Sequence, residues 1–246
     1  MTLPALGYVD RTLEKTRAML ALAREVSHPL SLALALMCAC EFYLFRGETD
    51  PANELSESAM RVAEEQRLAN FLGQATIYSG AVVTQKGQTS EGISRIRQGL
   101  AACRATGAVL SRPFFSRFLA DAYLRAEQLT EGLAVVDEAL SLVSQTQEHW
   151  HEAELWRLKG ELARQTGLEC LPEAENCLRK AIAVARSQEA KFWELRAATS
   201  LARLLRDTNR RDEARAMLAE IYNWFTEGFD TADLKDAKAL LDEVSA

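Results

Sequence analysis

The sequence is short of the residues and runs that would mark most other protein classes. Five prolines in 246 residues, Pro4, Pro29, Pro51, Pro113 and Pro172, each stand where a periodic segment begins, so long helices with short breaks are predicted. No run of about 18 apolar residues is present. The longest apolar stretch, Leu30 to Phe45, is interrupted by Ser31 and Glu41 and reads as too short to span a bilayer. The opening residues lack a basic n-region and an apolar h-region, and a cytoplasmic chain with no membrane partner is expected.

Cys38, Cys40, Cys103, Cys170 and Cys177 are odd in number and never spaced C-x-x-C, which argues against a disulfide framework or a zinc knuckle and for buried thiols. There is no G-x-x-x-x-G-K-[ST] phosphate loop and no G-x-S-x-G nucleophile turn. The one histidine pair, His149 and His151, is two residues apart and would point to different sides of a helix. No catalytic residue, cofactor or metal is therefore expected. Positive charge is not in excess either: the net charge of -6 opposes direct binding to nucleic acid or an anionic membrane, while leaving room for a local basic face.

With 48% hydrophobic and 26% charged residues, the chain has enough apolar material for a continuous core. An internal repeat organises it. Ala52, Gly92, Gly132, Ala174 and Ala214 recur every 40 to 42 residues, with Arg11 in the same slot one period earlier. Seven residues further on stand Ala18, Ala59, Gly99, Ala139 and Ala181, and Ile221 is the one large occupant. About twelve residues before each anchor, with two extra residues in one loop, come Cys40, Gly80, Ala120, Gly160 and Ala202. Glycine inside a helix costs about 1 kcal/mol relative to alanine, so Gly80, Gly99 and Gly160 predict close helix approach. Turn signals at Gly47, Gly87, Glu127, Gly167 and Asn209 separate the two helices of each unit.

The pattern predicts an all-α fold, a right-handed α-solenoid of helical hairpins with a repeat of about 40 residues, formed as a single domain over 1–246. A lone half-repeat is expected at 8–26, hairpins at about 27–66, 67–107, 108–147, 148–189 and 190–225, and a capping helix at 232–244. In that last helix Leu234, Ala237, Leu240, Leu241 and Val244 would face inward, Lys235, Asp236, Lys238, Asp242 and Glu243 would face water, and Asp230 or Thr231 would cap its start.

Leu119-Ala120-x-x-Tyr123 with Gly132 and Ala139, and Trp156-x-x-x-Gly160 with Ala174 and Ala181, resemble the tetratricopeptide (TPR) repeat family. The proline that usually ends that family's second helix is missing, and the period exceeds the family's 34 residues. Longer second helices account for both. The C-terminal half, with Glu152 to Leu162, Glu194 to Ala202 and Trp224 to Thr231, also resembles the C-terminal part of bacterial adenylate cyclase and signal-transduction ATPase multidomain regulators. The resemblance implies a regulatory or scaffold region that binds and does not catalyse. Neither the ATPase nor the cyclase motif is in these residues.

First-helix positions that line the inner groove of such arrays would here be Phe114, Arg117, Asp121, Leu124 and Arg125, then Glu154, Arg157, Glu161, Arg164 and Gln165, then Arg196, Thr199, Arg203, Arg206 and Asp207. The earlier hairpins place Leu34, Met37, Glu41, Leu44 and Phe45, then Gln74, Ile77, Ala81, Thr84 and Gln85 in the same slots, so the groove is expected to grade from apolar to arginine-rich. Arginine forks suit carboxylates, and an acidic or amphipathic peptide or protein partner is expected. Three alternatives stand beside it: pairing of Glu154, Arg157, Glu161 and Arg164 with one another, a groove that senses a small molecule, and homo-oligomerisation through apolar surface left open on the N-terminal half-repeat. Trp150, Trp156, Trp193 and Trp224 are expected to pack between helices.

Overall fold

Each periodic segment is helical in the computed structural model, which describes residues 5–107 and 111–245. In chain order the α-helices are α1 (Val9–Val26), α2 (Pro29–Arg46), α3 (Thr49–Glu65), α4 (Ala69–Gln85), α5 (Thr89–Ala105), α6 (Arg112–Arg125), α7 (Leu129–Thr146), α8 (Glu152–Thr166), α9 (Leu171–Ser187), α10 (Lys191–Asp207), α11 (Arg211–Tyr222) and α12 (Ala232–Ser245). The expected boundary at 107/108 abuts residues 108–110, and Pro4 precedes residue 5, so both lie outside the described residues.

Most breaks share one device. At Gly47, Arg67, Gly87, Glu127, Glu189 and Asn209 the backbone is left-handed, with φ between 54° and 87°. The amide of each of these residues and that of its successor reach back to the preceding helix, as in Gly87 to Thr84 O at 3.0 Å and Gln88 to Val83 O at 3.1 Å. These paired bonds satisfy carbonyls that the helix end would otherwise leave open. One exception follows α8, where Gly167 is extended and a 3-10 turn, Leu168–Cys170, leads into α9. It supplies the two extra residues of the 42-residue spacing.

The chain forms two compact units. The first, Arg11–Gln128, holds most of α1 and all of α2 to α6. Here α2 pairs with α3 and α4 with α5, while the first helices α2, α4 and α6 also pack in succession. Helix α2 corrects the reading of Leu30 to Phe45: with 18 residues and a mean hydropathy of 1.4 it is, among the described residues, a helix long and apolar enough to cross a membrane. Within the unit its Ala33, Leu36, Met37, Cys40, Phe42 and Leu44 are buried. Helices α4 and α5 approach backbone to backbone. A Cβ built on Gly80 would lie 2.9 Å from Gly92 O, one on Gly92 2.8 Å from Gly80 O, and one on Gly99 2.5 Å from Gly73 O.

The second unit comprises Met1–Asp10 and Leu129–Ala246. In it α8 pairs with α9 and α10 with α11, and α8, α10 and α12 pack in succession, so α12 occupies the place of a further first helix. Its buried face is Leu234, Ala237, Leu240 and Val244. Thr231 caps it: its hydroxyl accepts from Leu234 N at 3.4 Å and donates to Gly228 O at 2.7 Å. Residues 5–10 dock on the loop before α12. Tyr8 meets Trp224 edge to face at 6.1 Å, Asp10 Oδ2 accepts from Gly228 N at 3.4 Å, and Val9 is fully buried. The beginning of the expected half-repeat is therefore covered by the chain's own C-terminal loop.

Candidate partner-binding face

The expected site residues fall in both units, and each arginine among them has a carboxylate partner. In the first unit Arg117 donates through Nη2 to Glu41 Oε1 at 3.1 Å, and its guanidinium lies over the Phe118 and Phe114 rings at 4.0 and 4.6 Å. Tyr78 Oη donates to the other oxygen of Glu41 at 3.3 Å. Glu41, Tyr78 and Arg117 come from α2, α4 and α6, three successive first helices. Burial pushes the Glu41 carboxyl up, against the opposing pull of Arg117 and Tyr78, and burial followed by the Glu41 charge pushes the Tyr78 phenol well up. Arg125 pairs with Asp121 one turn back at 2.7 Å.

In the second unit Arg157 grips Glu154 with two bonds of 2.9 and 2.8 Å, and Arg164 grips Glu161 at 3.1 and 2.9 Å, both three residues apart on α8. Mutual pairing at helical spacing is thus what α8 adopts. Glu161 is buried, which raises its carboxyl, but Arg157, the Ser200 hydroxyl and Arg164 outweigh that and hold it below its ordinary value. On α10, Arg196 is bidentate to Asp233 at 2.9 Å on each bond and stands 3.5 Å from Glu154. Arg203 donates to Asp236, and Arg206 donates to Asp207 at 2.9 Å and to Glu243 at 2.8 Å.

Two corrections follow. Met37, Leu44, Ile77, Ala81, Thr84, Phe114 and Thr199 are buried, so these slots are core, whereas Leu34 is exposed and Glu41, Phe45, Gln74 and Gln85 are partly exposed. The glycine contacts of α4 with α5 draw that face into the interface: a Cβ on Gly99 would meet Ile77 Cγ1 at 2.6 Å. In α12, Asp236 and Glu243 do not simply face water but hold Arg203 and Arg206. Continuing the first-helix register would have found the pairs of Arg196 with Asp233 and of Arg206 with Glu243, each 37 residues apart, but not that of Arg203 with Asp236, 33 apart. Local polarity alone made these acids look solvated.

Other expectations divide. Trp193 is buried, whereas Trp150 is 60% exposed on a 3-10 turn and Trp224 is partly exposed. Trp156 lies under Lys180, whose ammonium is 3.7 Å from the ring centre. Among the described residues no three His, Cys, Asp or Glu side chains group to hold a metal ion. A cleft lined by Asn70, Gln74, Cys103, Arg104, Arg112 and Phe115 has a volume of about 10 Å³, the scale of one water. On α1 and α2, Leu22, Val26, Leu30 and Leu34 are exposed.

No family model and no curated protein matches the chain. Solved structures do. A putative kinesin light chain from Podospora anserina with nearly identical TPR-like repeats matches with a TM-score of 0.55 at 17% identity, covering 88% of this chain and 97% of that one. BtubC from P. vanneervenii matches with a TM-score of 0.60 at 14% identity, over 96% and 89% of the two chains. A signal-transduction ATPase with numerous domains and a tetratricopeptide-repeat sensor, from Pyrococcus horikoshii, matches with a TM-score of 0.59 at 13% identity, over 97% of this chain and 36% of that one. The fold is that of a TPR-like helical-repeat protein: an all-α solenoid of paired helices with a final capping helix.

Proposed function

We propose that this chain is a non-catalytic scaffold or regulatory region that binds an acidic or amphipathic peptide or protein segment, with 1–246 acting as one repeat domain. The observation that carries this reading is the arginine set of α8 and α10. Arg157, Arg164, Arg196, Arg203 and Arg206 lie on helices of one unit, each beside a carboxylate and with part of its side chain open to solvent. A ligand carboxylate finds guanidinium forks already oriented, and it needs only to replace an acid of the same chemistry. Such replacement favours a partner that brings several acids at once.

We read the chain as part of a bacterial regulator of the cyclase or transcription-regulator kind, in the cytoplasm and without direct contact to nucleic acid or membrane; the likeness in fold to the repeat sensor of a signal-transduction ATPase supports the regulatory part of that reading. The test is a pull-down from lysate of the source cell with the wild type beside an Arg157→Glu, Arg164→Glu, Arg203→Glu variant, both shown to be folded by circular dichroism. A partner kept by the wild type and lost by the variant is expected. Equal capture by both sinks the arginine-face reading. The exposed Leu22, Val26, Leu30 and Leu34 favour a second reading, association of two copies through the first unit. A mass that rises with concentration in sedimentation would support it.

A further inference from the structure

Helix α12 is an acidic amphipathic helix lying along a basic one. Its acids take the α10 arginines in order, Asp233 with Arg196, Asp236 with Arg203 and Glu243 with Arg206. The order is the same in both helices, so α12 runs parallel to α10. Each of these acids immediately precedes a buried apolar residue: Asp233 before Leu234, Asp236 before Ala237, Glu243 before Val244. One short pattern thus supplies both the anchor into the α10–α11 core and the charge for the arginine row.

Two of the three pairs lie open to water. Asp236 and Glu243 are more than half exposed in their pairs, where an ion pair contributes little and salt weakens it. Helix α12 packs against α10 and α11, has 14 residues, and is too short to persist as a helix once detached. It hangs from the loop Thr226 to Thr231, where Gly228 adopts a left-handed φ of 79°.

We propose that the arginine row of α10 is a recognition surface for an acidic amphipathic helix of a partner protein, and that α12 is its built-in occupant, displaced when the partner docks. The inference rests on the peptide-binding reading above and specifies its ligand: acids spaced like 233, 236 and 243, each followed by an apolar residue. Because α12 competes from within the same chain, a partner meets a high effective concentration of the resident helix. Weakening that helix raises the partner's apparent affinity.

The experiment uses the full chain and a fluorescent synthetic peptide carrying residues 230–245, read by anisotropy at low salt. Wild type should bind it weakly. An Asp233→Lys, Asp236→Lys, Glu243→Lys variant, whose own helix no longer matches α10, should bind it about tenfold tighter or more. Adding Arg196→Glu, Arg203→Glu and Arg206→Glu should abolish that gain, because the reversed helices match again and the acidic peptide is repelled. Unchanged affinity in the first variant, or tight binding that survives the second set, overturns the proposal. Should the first variant fail to fold, hydrogen exchange of wild-type α12 under saturating peptide decides, with faster exchange expected and unchanged exchange contradicting. A first variant that binds the peptide only as a dimer would make a second copy's α12 the occupant and overturn the choice of partner. Peptide results leave the broader scaffold reading untouched, since that stands or falls on the lysate capture.

Discussion

Helices α4 and α5 meet through backbone, whereas α8, α10 and α12 meet along their polar edge through charge. In the first pair Gly73, Gly80, Gly92 and Gly99 let the two backbones approach closely, with Ile77, Ile96, Thr84 and Cys103 packed against them. A larger residue at these glycines would meet backbone, and a contact without charged groups is expected to respond little to salt. In the second set the apolar core is closed by Leu155, Leu158, Leu195, Leu201 and Leu234, all essentially buried. Above it runs a row of arginine and carboxylate pairs that water reaches. A backbone contact fixes geometry, while a rim of ion pairs specifies which helix sits where and lets another helix of like charge take its place.

The largest effect should come from breaking the first contact. Gly92→Leu places side-chain atoms against Gly80 O and Thr84 N and should cost about 3 kcal/mol or more in urea unfolding, if the chain folds at all. Gly160→Leu meets the Leu178 side chain instead, at 2.6 Å from its Cγ, and side chains yield more readily than backbone. A loss of about 1 to 3 kcal/mol is expected there, with Lys159→Leu costing much less. Equal effects at 159 and 160 would mean that the repeat register is misplaced.

Arg196→Met should follow, at about 1 to 3 kcal/mol, because it leaves Asp233 without its bidentate guanidinium and removes a second cation from Glu154, which Arg157 still holds. That loss should be smaller than for Gly92→Leu and should shrink in salt. Two carboxylates sharpen the comparison through pH. Glu161 is held below its ordinary value, so its contribution is present at neutral pH and is lost as pH falls through its folded pKa; Glu161→Gln should flatten the acid side of a stability profile. Glu41 is raised, so its ionisation costs stability as pH rises from the unfolded value through the raised one; Glu41→Gln should remove that decline. Urea midpoints measured across the acid range would show the two substitutions acting with opposite sign. The smallest effect belongs to Lys238→Ala, which removes an exposed pair with Asp242 one turn along α12 and should stay within about 0.5 kcal/mol.

Much of the fold is legible in the residues that cannot be large. Ala52, Gly92, Ala174 and Ala214 mark the second helices because a bulky residue there would push the hairpin open, and all four are buried. Glu127, Glu189 and Arg67 are less readable as stops: they take the left-handed turn conformation that Gly47 and Gly87 take, but their residue types give no local signal for it. The packing of Tyr8, Val9 and Asp10 on the Trp224 to Gly228 loop joins residues 218 apart, which no periodicity announces. The arginines of the candidate face were visible in the sequence, but not their state. Arg157 and Arg164 show their partners at helical spacing, whereas the acids that hold Arg196, Arg203 and Arg206 lie on a helix whose polar side looks like an ordinary solvated one.

Native-state hydrogen exchange on the full chain, at low and high salt, tests the contrast most directly. The account predicts that α12 amides exchange through a local opening whose free energy falls as salt is raised, while α4 and α5 amides exchange only with their whole unit and with little salt dependence. If α12 instead exchanged as slowly as α4 and α5 and its rate ignored salt, the row of ion pairs would be a fixed part of the core and the account of an exchangeable face would be wrong.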